Sequence, residues 1–167
     1  MKHITFILLC TLSINSYGNG SGAPDSANDE QDSTEIYITN IRAEYQKINA
    51  SKLRVVDAEA QDESSEGGEV KKYYDSRGLR KVVAEYMGAI GRAKWEYYFS
   101  GDELCFAYEV DYTYDKPMSG HVIKKEENRY YFHHRRMIRW IDEKGRIRDK
   151  DLYADKARDI LNDKDIR

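Results

Sequence analysis

Three segments of this chain set two adjacent tyrosines ahead of a short polar break and then an apolar stretch. The pairs are Tyr73-Tyr74, Tyr97-Tyr98 and Tyr130-Tyr131; the apolar stretches are Leu79 to Val83, Leu104 to Tyr108 and Met137 to Ile141. Aromatic and β-branched runs flanking a polar break mark a β-hairpin. Three in succession predict a twisted antiparallel meander. The second copy alternates most clearly, with Trp95, Tyr97 and Phe99 on one face, then Leu104, Phe106, Tyr108 and Val110 on one face. Glu96, Cys105, Ala107 and Glu109 fall on the opposite faces. Period two over that length requires a half-buried sheet.

The hairpins are expected at Val70–Tyr86, turning at Asp75-Ser76-Arg77-Gly78; at Lys94–Tyr112, turning at Ser100-Gly101-Asp102; and from Asn128–Phe132 to Met137–Ile141 through His133-His134-Arg135-Arg136. The last return strand is apolar on both faces, Ile138 and Trp140 against Met137 and Ile141, so it should be covered on both sides. Lys52 to Ala58 reads as a further strand, while Met87–Arg92 and Tyr114–Glu127 read as connections. A helix capped by Asp32 or Ser33 carries the stripe Ile38, Ile41, Tyr45, Ile48, and a last helix from about Asp151 carries Tyr153, Ala157, Ile160 and Leu161. The class is therefore α+β: an antiparallel meander of six to seven strands with an amino-terminal and a carboxy-terminal helix packed on it.

At 167 residues the chain fits one domain after a leader. Lys2 and His3, the apolar run Ile4 to Leu12 and the small residues Ser16 and Gly18 have the form of an export signal over residues 1–18. That run is too short to span a bilayer, so no transmembrane segment is expected once the leader is gone. Leu9 is too large for a lipid-attachment signal at Cys10. Residues 19–32, rich in Gly, Ser, Asn and acids, read as a flexible tether, which leaves 33–167 as the folded domain, exported to the periplasm or beyond. Cys105 is then the sole cysteine, excluding an internal disulfide, and reads as an inert buried thiol.

Little in the sequence points to chemistry. His133 and His134 lie beside Arg135 and Arg136, but no spacing supplies the three or four convergent ligands of a zinc site, so no metal is expected. No phosphate loop, dinucleotide fingerprint or nucleophile elbow is present, and no cofactor is implied. Glu96, Glu109 and Asp111 sit on neighbouring expected strands and would suit a carboxylate-dependent hydrolase if they converged. A net charge of −3 argues against nucleic-acid binding. From His121 to Lys150, however, ten Lys/Arg face five Asp/Glu, a local excess that could engage an acidic partner.

Alternation sends one member of each tyrosine pair to the second sheet face. Tyr73, Tyr98 and Tyr131, with Trp140, would form an aromatic platform there unless a helix covers them. From Tyr73 to Ile141 the chain resembles exported bacterial domains with tandem Tyr-rich hairpins, of the MORN type or of some immunity proteins. The third copy departs from that pattern in lacking the glycine-containing core that follows the aromatic pair. The resemblance implies no activity. The expected function is a non-enzymatic binding domain whose ligand, a protein or glycan, rests on Tyr73, Tyr98, Tyr131 and Trp140. Alternatives are an immunity or inhibitor protein that binds a partner enzyme through Arg135 and Arg136, and the hydrolase.

Overall fold

The structure, a computed structural model, describes residues 26–60 and 66–166; the expected leader and residues 19–25 of the tether lie outside them. Helix α1 spans Ser26–Ala50. Seven strands follow: β1 Arg54–Ala58, β2 Gly68–Asp75, β3 Gly78–Gly88, β4 Gly91–Ser100, β5 Glu103–Tyr114, β6 Val122–His133 and β7 Arg136–Ile141. A short 3-10 turn leads into α2, Tyr153–Asn162. The strands pair antiparallel in chain order, β1 to β7, as the period-two pattern requires. No helix among the described residues is long and apolar enough to cross a membrane.

Helix α1 starts earlier than expected and takes in 26–32, the second half of the expected tether. β6 likewise extends back to Val122, so the expected connection after Tyr114 shrinks to 115–121. The connection between β3 and β4 is a two-residue turn, Ala89-Ile90. Gly91 makes the neighbouring crossing possible, because a Cβ there would lie 2.2 Å from the Tyr112 carbonyl oxygen.

The two helices clad opposite faces of the sheet. On one, Ile38, Ile41 and Ile48 of α1 pack with Tyr98, Cys105, Phe106 and Tyr131. On the other, Tyr153, Ala157 and Ile160 of α2 pack with Val82, Tyr97, Tyr130 and Phe132, among others. Burying one isoleucine contributes about 1.5–3 kcal/mol, so the α1 stripe is a substantial anchor. The α2 face adds hydroxyl–carboxylate bonds, from Tyr97 to Asp163 and from Tyr86 to Asp165, which tie the chain end to the sheet.

The three hairpins β2–β3, β4–β5 and β6–β7 share one register. Tyr73, Tyr98 and Tyr131 stand opposite Lys81, Phe106 and Arg139; Tyr74, Phe99 and Phe132 stand opposite Leu79, Leu104 and Met137. Each return strand thus holds one extra, unpaired residue at the same point: Arg80, Cys105 and Ile138. Such a bulge turns its side chain and everything beyond it by one position. All three extra residues point to the α1 face: Arg80 pairs with Glu44 of α1, and Cys105 and Ile138 join the α1 cluster. The structural equivalents of Tyr73-Tyr74 are therefore Tyr98-Phe99 and Tyr131-Phe132, one residue later than the tyrosine pairs read from the sequence.

The bulges also correct two expected faces. Leu104 faces α2 while Phe106 and Tyr108 face α1, so the run from Leu104 to Val110 does not share a side. In β7 it is Met137 and Trp140 that face α2, and Ile138 and Ile141 that face α1.

Candidate functional site

Tyr73, Tyr98 and Tyr131 do share a face, as alternation predicts, but α1 covers that face. Tyr98 is fully buried and Tyr131 is 4% exposed. Tyr45 of α1 lies over the same ground, its ring 4.8 Å from Tyr98 and 5.5 Å from Phe106. Tyr73, nearer the sheet edge, stays half-buried, with the Lys81 ammonium 5.9 Å from its ring centre. Trp140 stands on the α2 face, where its Nε1 donates to Asn128 Oδ1 at 3.0 Å. The expected aromatic platform is thus neither open nor on one side, because a one-residue bulge and a packed helix remove it.

The hydrolase triad is also divided. Glu96 faces α1: it accepts from the Tyr98 hydroxyl at 2.5 Å, and Lys81 and Lys94 each approach it at 2.8 Å. Burial opposes its ionisation, but those donors outweigh burial and hold its carboxyl at about 2. Glu109 faces α2, bonded to the Tyr130 hydroxyl and to Lys156. Asp111 shares that face, its carboxyl raised by burial and then by the Glu109 charge. With the sheet between Glu96 and the other two, the three groups cannot meet at one substrate.

What the fold does bring together is the tips of the second and third hairpins against the middle of α1. A cleft of about 460 Å³ opens there, lined by Tyr37, Asn40 and Glu44 of α1 and by Ser100, Glu103, His133 and His134 of the tips. Cys105 borders it, but burial and the Glu44 charge push its thiol up to about 12, so it is no nucleophile at neutral pH. No cluster of three or more metal-ligating side chains exists among the described residues. The Tyr37 and His133 rings stack with centres 3.7 Å apart, and His134 Nδ1 lies 3.4 Å from Glu103. Arg139 meets Glu35 of α1 at 2.7 Å. These contacts brace the third hairpin against α1 and against the tip of the second hairpin.

The tip itself is a two-residue turn, His134-Arg135, with both residues at positive φ, 47° and 61°. Turns of that kind favour Asn-Gly, since a Cβ in the left-handed region costs about 1–2 kcal/mol per residue. His134, Arg135 and Arg136 are all exposed. Eight of the ten cations between His121 and Lys150 have partners, and seven of them pair with carboxylates: Lys124 with Glu126, Lys125 and Arg129 with Glu127, Arg139 with Glu35, Lys144 with Glu143, and Arg146 and Arg148 with Asp142. Arg135 and Arg136 have none among the described residues. The local positive excess therefore concentrates at this tip. Searches of protein-family models, of curated proteins and of solved structures find no match to this chain.

Proposed function

We propose that this chain is an exported binding domain that grips an acidic protein surface with its third hairpin. Arg135 and Arg136 enter the partner, in the manner of an inhibitor or immunity protein. One observation carries this reading: Arg135 in an exposed, backbone-strained turn and Arg136 just beyond it are neutralised by no carboxylate among the described residues. Strain of this kind persists where the side chains themselves are needed. The leader-like first eighteen residues support export, and the braced hairpin supplies a preorganised surface that loses little entropy on binding. Arginine suits the task because its fork pairs carboxylates bidentately.

The test separates strain from recognition. Exchanging the turn for Asn-Gly (H134N/R135G) should raise stability by about 1–3 kcal/mol in urea denaturation. Reversing both charges (R135E/R136E) should leave stability within about 0.5 kcal/mol, as for other exposed positions. That variant should also lose the one species that the wild-type protein retains from a periplasmic extract at low salt and releases at high salt. Retention of the same species by R135E/R136E would rule out the hairpin as the binding element.

A further inference from the structure

The two edges of the sheet differ. At one, residues 146–148 run beside β7: the Arg148 N–H donates to the Trp140 carbonyl and the Asp142 N–H to the Arg146 carbonyl, each at 2.9 Å, and Ile147 bridges to Ile141. At the other, β1 pairs with β2 alone, and its outward backbone groups have no partner among the described residues. Alternate N–H and C=O groups of such a strand point outward, ready for another strand. We propose that two copies of this chain join antiparallel along β1, making one sheet continuous across both.

β1 lacks most of the features that keep an edge solitary. Its ladder with β2 runs without a bulge, whereas the ladders β2–β3, β4–β5, β5–β6 and β6–β7 are each interrupted. It holds no proline, and Val55 and Val56 are 48% and 38% exposed. Val55 stands opposite Tyr73, on the α1 face, and Val56 opposite Lys72, so each side of the edge carries one open valine.

The charges select the occupant. Lys52 and Arg54 make the amino end of this segment basic, and Asp57 and Glu59 make its carboxy end acidic; all four are exposed. In an antiparallel pair each basic end lies beside the acidic end of the other copy, within about 8–10 Å, the reach of unscreened charge at ordinary salt. A parallel pair would set like charges together. The reversed charge order that this edge calls for is thus supplied by a second β1, as a two-fold contact requires. The axis stands normal to the sheet and keeps like faces together. Centred on Val56, it sets that residue against its counterpart, a β-branched cross-strand pair. The net charge of −3 offers little repulsion between copies. Five residues make a small interface, so the dimer is weak, with a dissociation constant of about 0.1–1 mM.

Sedimentation velocity of the full chain, from about 10 μM to 2 mM, tests this. The wild type should pass from monomer toward dimer over that range, and amide exchange at Arg54–Ala58 should slow as it does. K52E/R54E makes the edge wholly acidic and D57K/E59K makes it wholly basic; each should weaken self-association at least tenfold while keeping a cooperative melt. An equimolar mixture of the two should associate again, acidic edge against basic edge, and less so as salt rises. The R135E/R136E variant should dimerise as the wild type does, so the outcome is independent of the hairpin reading. A wild type that stays monomeric at 2 mM would leave this edge to some other chain and overturn the proposal. Undiminished dimers in both charge variants, or no association in their mixture, would overturn it as well.

Discussion

Replacing Tyr98 and Tyr131 together by alanine should unfold the domain, or leave it folded only in the cold. Both rings are buried between the sheet and α1 and both touch Phe106, with ring centres 5.8 and 5.0 Å away. Truncating a buried large aromatic costs about 3–5 kcal/mol, through lost transfer energy and the cavity left behind. Two such losses approach the whole stability of an ordinary domain, about 5–15 kcal/mol. Because the sites share Phe106, the double loss will not be a simple sum, but it remains several kcal/mol. Tyr98 also binds α1 through its hydroxyl, to which Asn49 Nδ2 donates at 3.2 Å. Urea denaturation followed by circular dichroism reads the effect. A double variant with a near-native midpoint would mean that α1 does not rest on these rings.

The second large effect should come from Glu44→Ala. Arg80 is 2% exposed and occupies the bulge of the first hairpin, facing α1, where it pairs with Glu44 and lies 3.5 Å from Asp75. Its Nε has no hydrogen-bond partner. Removing Glu44 strands a buried guanidinium, a loss of about 3–5 kcal/mol for such pairs. The low end applies, since Asp75 stays within reach. The other two hairpins show how to relieve it, because the equivalent bulge residues under the same helix are Cys105 and Ile138. Adding Arg80→Ile to Glu44→Ala should therefore recover most of the loss. If the single variant is as stable as the wild type, or the second change deepens the loss, Arg80 does not depend on Glu44 as described.

The meander was legible because period-two alternation and turn residues are local, and the Ser100-Gly101-Asp102 and Asp75-to-Gly78 turns fall where they were expected. The stripes of both helices were legible for the same reason: Ile38, Ile41 and Ile48 are buried, as are Tyr153, Ala157 and Ile160. The bulges at Arg80, Cys105 and Ile138 were not. A bulge is a property of pairing between two strands, and one inserted residue reverses every face beyond it. That is why alternation alone places Trp140 on the side of Tyr131 and sets the repeat one residue early.

Arg135 and Arg136 could be singled out from composition alone, but their isolation emerged only once the neighbouring cations were seen to be paired.

Helix α1 lies on the aromatic face and leaves recognition to the hairpin tip. The most direct measurement is a set of nuclear Overhauser contacts, in solution, between the methyl groups of Ile38, Ile41 and Ile48 and the ring protons of Tyr98, Phe106 and Tyr131. The structure predicts such contacts, together with ring-current shifts that move the methyl signals upfield. Isoleucine methyls at unshifted positions with no contact to those rings would contradict it.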